Sequence, residues 1–220
     1  MMILTRRHPD LDDSLFQRLK QEHEKSYASG IQINHKGHQG VSECNIDATP
    51  YMIKCYRTKS LLATLRLMLG RSRIDTSFRS AQALDAHGLA AAKHLMVVKH
   101  LSLFKSRAFL IMEKAPGTTL FEFIQAGTQL RLSDAAVENI AALVTGLHKL
   151  GIAHGDLHTR NLIIAEDGSV RLIDFDNARK SRNGIHKDLK RFRNAVAATS
   201  SYEPAITKAI KRFGHPYLND

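Results

Sequence analysis

Cysteine is almost absent from this chain of 220 residues, Cys44 and Cys55 being the only two. Two thiols at that spacing exclude a disulfide framework and a cysteine-based zinc site, and they fit a reduced, cytoplasmic setting. Long apolar runs are missing as well. The richest, Leu61 to Leu69, is interrupted by Arg66 and falls far short of the ~20 residues that a membrane-spanning helix needs. Met1-Met2-Ile3-Leu4 is followed by Arg6 and Arg7 without a further apolar stretch, so no secretory signal is expected. Acids are in deficit: 21 Asp plus Glu face 32 Lys plus Arg, a formal charge of +11. Such a field favours polyanions, nucleotides and anionic lipid among them. The cations are spread along the chain rather than gathered around exposed aromatics, so no nucleic acid is expected as a partner. Internal repeats and low-complexity stretches are lacking too. With 43% hydrophobic residues, the chain can bury a sizeable core as one domain with two lobes.

The first periodic segment is helical. Residues 10 to 27 place Leu11, Leu15, Phe16 and Leu19 on one face, with Asp12 and Asp13 near the positive end of the helix dipole. Three short alternating runs follow, Ile31 to Asn34, Val41 to Ile46 and Tyr51 to Tyr56, and predict a small antiparallel meander. A basic amphipathic helix is expected around Leu61 to Leu69, packed within the small lobe or, alternatively, lying near a membrane or acceptor. A second helix runs from about Asp75 to His87. Val97 to Leu103 and Ala108 to Met112 read as buried strands, and Glu113-Lys114-Ala115-Pro116-Gly117 as a connector. Beyond it, helices are predicted over Leu120 to Gln125 and from a Ser133 cap to Leu150.

Chemistry concentrates between His154 and Asp176. His154-Gly155-Asp156-Leu157-His158-Thr159-Arg160-Asn161 precedes the apolar Leu162-Ile163-Ile164, and Val170-Arg171-Leu172-Ile173 leads into Asp174-Phe175-Asp176. Two carboxylates and an amide beside short β-branched strands form a set of hard oxygen donors on a rigid support. Mg²⁺ prefers such donors to nitrogen or sulfur, and phosphoryl transfer needs charge neutralisation and alignment more than covalent chemistry.

These motifs resemble the protein-kinase-like fold: α+β and bilobal, with a β-rich N-lobe and a shortened α-rich C-lobe. The resemblance implies a helical extension over 1–30, an N-lobe and hinge over 31–116 and a C-lobe over 117–220. It implies that Asp156 orients the attacking hydroxyl, that Asn161 and Asp174 hold Mg²⁺, and that Lys54 pairs with the phosphates of ATP. Arg160 would lend charge to the moving phosphoryl group. Gly37 and Gly40 supply two glycines of a phosphate-covering loop that usually has three, and an ordinary hairpin explains them equally well. Glu113 and Ala115 would offer main-chain groups to adenine, whereas Pro116 has no N–H to donate. The helix over Asp75 to His87 contains no glutamate to pair with Lys54; Asp75 and Asp85 are the acids within it.

The stretch after Asp174 carries no Ala-Pro-Glu and no long activation segment. Instead, Ile173-Asp174-Phe175-Asp176 with the trailing Arg179 and the downstream Asp188-Leu189-Lys190-Arg191 resembles the bacterial Kdo and lipopolysaccharide-core heptose kinases. That resemblance implies transfer of phosphate from ATP to a sugar hydroxyl of a lipid-linked core oligosaccharide, with peripheral contact to the anionic inner membrane. Asp188 would then anchor the catalytic loop from a following helix. The alternatives are a compact atypical Ser/Thr protein kinase and a catalytically silent ATP-binding pseudokinase.

Overall fold

The computed structural model describes residues 2–29, 39–102, 105–126, 132–199 and 202–216. The chain divides into two units, Met1–Gln82 with Lys93–Lys114, and Ala83–Ala92 with Ala115–Asp220. Ile31 to Asn34 and Gly37 lie outside the described residues.

The first unit contains β1 (Met2–Arg7), α1 (Asp13–Ser29), β2 (Gln39–Ile46), β3 (Thr49–Arg57), α2 (Leu61–Met68), α3 (Arg73–Asp85), β4 (His94–Leu101) and β5 (Arg107–Glu113). Its strands form one antiparallel sheet in the order β1-β4-β5-β3-β2. Strand β1 lies in the segment grouped above with a helical extension. It pairs along its whole length with β4, Met2 opposite Leu101 and Arg7 opposite Met96.

Period-two alternation divides the side chains between two cores. Tyr51, Ile53 and Cys55 of β3 join Phe109 and Ile111 of β5 against Leu11 and Leu19. The opposite face presents Val97, Leu110 and Met112 to Leu67 of α2 and to Ile74 and Phe78 of α3, with Met52 and Tyr56 packed alongside. By register, Lys54 shares the face of Met52 and Tyr56. Helices on both faces explain why every residue of β4 is buried, where the apolar run alone signalled only Val97 onward.

Two polar features lie inside this apolar frame. His23 of α1 and His100 of β4 meet at 2.8 Å between their Nε2 atoms, and Tyr27 stacks on His100 at 4.3 Å between ring centroids. Burial, with His100 beside it, pulls His23 down to about 4. Lys99 of β4 is buried too, and its Nζ lies 2.5 Å from Asp75 Oδ1 while donating to the Leu67 carbonyl at 2.9 Å. Asp75 also accepts from Ser72 Oγ at 2.5 Å and from the Ser72 N–H at 3.3 Å. A buried charge is tolerated only when paired and hydrogen-bonded. Asp75, one of two acids considered for Lys54, is therefore committed to Lys99.

The second unit is built on β6 (Thr118–Thr119), α4 (Leu120–Gln125), α5 (Asp134–Lys149), β7 (Ile152–Ala153), β8 (Leu162–Ile164), β9 (Val170–Leu172), β10 (Arg179–Lys180), α6 (Arg182–Thr199) and α7 (Glu203–Arg212). Ser133 caps α5 through a hydrogen bond from the Ala136 N–H at 3.1 Å, and Thr119 with Glu122 forms a capping box on α4. The β6-β8-β9 sheet and the β7-β10 pair flank the residues between Ala153 and Arg179. Gly117 enters this unit at φ +110, with a Cβ built there only 2.1 Å from the Ile164 carbonyl oxygen. No side chain fits at that crossing.

The Lys99–Asp75 pair gives a direct test of the first unit. Lys99→Met leaves a buried carboxylate without its cation, and urea unfolding is expected to show a loss of about 3–5 kcal/mol. Adding Asp75→Asn to that variant should restore a large part of the loss.

Candidate active site

The loop between β7 and β8 is fixed from beneath by hydrogen bonds to its backbone. Asp188, the seventh residue of α6, is 1% exposed and accepts the Gly155 N–H with both carboxylate oxygens, at 3.0 and 3.1 Å. Gly155 adopts φ +81, and a Cβ there would stand 2.3 Å from the Asn177 carbonyl oxygen. Glycine is therefore required both for the backbone conformation and for the close approach of two loop segments. Arg191, one helical turn after Asp188, donates to the Gly155 carbonyl at 2.6 Å. The same guanidinium reaches Asp156 Oδ1 at 3.4 Å.

His154 is fully buried and its Nε2 donates to the Ile173 carbonyl at 2.9 Å, tying this loop to the segment after β9. Its ring rests 5.1 Å from that of Phe175. Burial pulls its imidazole below the usual histidine range, against the pull of the Ile173 bond and of nearby carboxylates. A neutral ring with the proton on Nε2 satisfies this geometry.

Asp156 keeps 43% of its side chain exposed, with His158 Nε2 3.5 Å from Oδ2. His158 Nδ1 accepts the Arg160 N–H at 3.1 Å, so Nε2 is the ring nitrogen that can donate toward Asp156. Asn161 ends a 3-10 turn, and its Nδ2 donates to the Asp156 carbonyl at 2.8 Å. A carbonyl can only accept, so the amide orientation is determined and Oδ1 is the Asn161 atom available to a cation. The Asn161 carbonyl in turn accepts the Ile173 N–H at 3.0 Å, linking Asn161 to the strand that delivers Asp174.

Asp174 sits in the left-handed region at φ +64 and ψ +63, where a residue with a Cβ carries a conformational cost of about 1–3 kcal/mol. Its side chain makes no capping hydrogen bond to the 3-10 turn Phe175–Asn177 that follows, so it is not there as a helix cap. Phe175 is fully buried and holds the strained residue in place. The oxygens of Asp156, Asn161 and Asp174 thus belong to one hydrogen-bonded framework within the second unit.

The remaining predicted residues fall elsewhere. Arg160 is exposed and its guanidinium stacks over the Phe121 ring of α4 at 4.2 Å. Lys54 stands mid-strand in β3, Gly40 pairs with Cys55 in the β2–β3 ladder, and Glu113 ends β5. The Glu113 N–H is engaged by the Lys93 carbonyl at 3.0 Å and that of Lys114 by the Pro50 carbonyl at 3.1 Å. Any adenine contact from Glu113 therefore uses its carbonyl. Sequence reasoning missed Arg191 as a contact of Asp156, although the Asp188-Leu189-Lys190-Arg191 spacing carries the signal: residues three apart on a helix share a face. It also missed His148 and His215, which nothing in their flanking residues marks out.

Those two histidines extend the anchor. His148 Nε2 lies 3.8 Å from Asp188 Oδ2, and His148 Nδ1 meets His215 Nε2 at 2.6 Å. Burial alone would raise the Asp188 carboxyl, but His148 and the Gly155 N–H outweigh it and hold the group below the usual carboxylate range. Burial and the neighbouring His148 pull His215 down to about 4. Both shifts work in the same direction. The unfolded chain binds a proton at His215 near pH 6.5 while the folded chain resists it, so stability is full above that pH and falls as pH drops toward 4. Asp188 adds a loss at still lower pH as it protonates. His215→Gln should flatten the profile of urea stability between pH 6.5 and 5, by up to about 1.4 kcal/mol per pH unit; an unchanged slope would contradict the pairing.

Comparison with known proteins places this geometry. The model of the "Lipopolysaccharide kinase (Kdo/WaaP) family" matches residues 19–213. The chain is 31% identical over 123 residues to maternal embryonic leucine zipper kinase of Xenopus tropicalis, covering 55% of this chain and 19% of that protein. It is 36% identical over 95 residues to a PAS domain-containing serine/threonine-protein kinase of Mus musculus, covering 41% of this chain and 7% of that one. The chain thus spans a minor part of the length of these curated relatives. Among solved structures, monomeric WbdD superposes with a TM-score of 0.57 at 16% identity, over 84% of this chain and 46% of that chain. The fold is protein-kinase-like, and the chain belongs to the lipopolysaccharide kinase (Kdo/WaaP) family.

Proposed function

We propose that this protein transfers the γ-phosphoryl group of ATP to a sugar hydroxyl, of Kdo or heptose, in the lipopolysaccharide core. The observation that carries the reading is the Asp156–Asn161–Asp174 framework braced by Asp188, in a chain of this family. Asp156, half-exposed and flanked by His158 and Arg191, accepts or orients the proton of the attacking hydroxyl. Asn161 Oδ1 and the Asp174 carboxylate are the hard oxygen donors for Mg²⁺, which when bound would neutralise phosphate charge. Lys54 pairs with the nucleotide phosphates, the backbone at Gly37 and Gly40 covers them, and the Glu113 carbonyl with the Ala115 N–H meets adenine. Arg160 adds positive charge beside the acceptor side of the loop, held by Phe121.

The acceptor on this reading is a lipid-linked core oligosaccharide, and the protein works at the cytoplasmic face of the inner membrane through peripheral contact. No helix among the described residues is long and apolar enough to cross a bilayer. A second reading, a compact Ser/Thr protein kinase, is favoured by the partial matches to protein kinases.

Incubation with labelled ATP and deacylated core oligosaccharide decides between them. The expected product is a labelled sugar, and Asp156→Asn should reduce its formation by about 10²- to 10⁴-fold while ATP with Mg²⁺ still raises the melting temperature of the variant. Label on protein alone would overturn the sugar acceptor. Stabilisation by ATP without transfer to any acceptor would indicate a silent nucleotide-binding protein.

A further inference from the structure

Of the ten large hydrophobic residues that are exposed among the described ones, eight lie on α2 with its C-cap and on β1. Helix α2 is apolar on two sides. Thr64 and Leu67 point into the core of the first unit, whereas Leu61, Leu62, Leu65, Met68 and Leu69 are 46–59% exposed. At 3.6 residues per turn those five occupy an arc of about 120°, with Arg66 at its border. Met2, Ile3 and Leu4 of β1 are exposed as well. The two elements meet: Met2, Leu61, Leu65 and Met68 line one shallow cavity of about 210 Å³, and Leu4, Met68 and Leu69 line the next. The surface is therefore continuous, and burial inside the small lobe, expected from periodicity, accounts only for the Thr64–Leu67 side.

Charge selects what covers it. From Arg57 to Ile74 the chain carries Arg57, Lys59, Arg66, Arg71 and Arg73 and no acid, and β1 contributes Arg6 and Arg7, again without an acid. Arg7 is paired with Asp13 at 2.5 Å, but Arg57, Lys59, Arg66, Arg71 and Arg73 all remain exposed around the apolar stripe. A second copy of this chain would bring the same cations face to face. An apolar stripe with basic borders on one side of a short helix matches the interface of an anionic bilayer, where leucine and methionine enter the headgroup boundary and arginine meets lipid phosphate.

We propose that α2 and β1 form a docking surface for an anionic phospholipid bilayer. The inference deepens the reading of a lipid-linked acceptor and rests on it for its setting alone; the surface is defined by its own residues. It is tested by flotation of the full chain with vesicles of phosphatidylcholine, with and without phosphatidylglycerol. The protein should float with the mixed vesicles at least about tenfold more tightly than with phosphatidylcholine alone. Leu62→Glu with Leu65→Glu should abolish flotation, Leu62→Met with Leu65→Met should retain it, and both double variants should melt as the wild type does. Failure of the wild type to float, or flotation of the glutamate variant at wild-type strength, would overturn the proposal. So would a wild-type dimer that the glutamate variant turns into a monomer. Phosphorylation of the soluble, deacylated oligosaccharide should be unchanged in the glutamate variant. A wild type that transfers phosphate to the oligosaccharide but does not bind vesicles thus refutes the surface, and a wild type that binds vesicles but transfers no phosphate refutes the acceptor.

Discussion

The bond between the Asp188 carboxylate and the Gly155 N–H is the constraint on which the rest of the site depends. The eight-residue loop from His154 to Asn161 has no regular backbone ladder of its own, so its groups must find partners elsewhere. Here one buried carboxylate takes the Gly155 amide with both oxygens, and Arg191 from the next turn of the same helix takes the Gly155 carbonyl. Gly155 is thereby clamped on both its donor and its acceptor, and the side chain that follows it, Asp156, is delivered to the surface with its backbone fixed. His154 and Asn161 then fasten the two ends of the loop to the segment carrying Asp174, through the Ile173 carbonyl and N–H. Gly155, Asn161 and Ile173, the residues that position Asp156 and Asp174, are all held by hydrogen bonds to backbone, which are less adjustable than contacts between side chains.

The charges follow the same economy. Asp188 is buried and anionic because His148, in contact with His215, stands behind it and an amide stands in front. Lys99 is buried and cationic because Asp75 and the Leu67 carbonyl receive it. Among the described residues both units thus bury charge, Lys99 with Asp75 in the first and Asp188 in the second, and in both a side chain from a helix, Asp75 of α3 or His148 of α5, supplies compensation. Such pairs contribute little net stability compared with apolar replacements, but removing one partner is costly. They fix which helix face meets which strand. Asp75 illustrates the consequence, since its position in α3 made it a candidate for Lys54 and its geometry assigns it to Lys99.

Much of this was legible in the sequence, and the limits are physical. Strands β2, β3 and β5 and helices α4 and α5 were readable because their apolar positions repeat at period two or 3.6 and their caps are conventional: Ser133, Thr119 with Glu122. Strand β1 was not, since all six of its residues are exposed and its only signature is pairing with a distant strand. The loop from His154 to Asn161 was readable as a motif of the family, because phosphoryl transfer restricts both residue type and order. Arg191 had only its spacing from Asp188 as a signal, and His148 and His215 had none, since the contact between them spans 67 residues. Periodicity identified α2 as amphipathic without revealing that it is apolar on two faces; only exposure separates the stripe that builds the core from the one left at the surface.

The account is tested most directly by the steady-state kinetics of Asp188→Asn. An asparagine keeps the size of the side chain but can accept the Gly155 N–H with one oxygen only, and it removes the charge that faces His148. Displacement of Asp156 by a fraction of an ångström should lower kcat for sugar phosphorylation by about 10²-fold, with KM for ATP little changed because Lys54 and Glu113, proposed above to hold ATP, belong to other elements. Wild-type kcat in this variant, with the fold intact by thermal unfolding, would contradict the claim that Asp188 holds the catalytic loop in its working geometry.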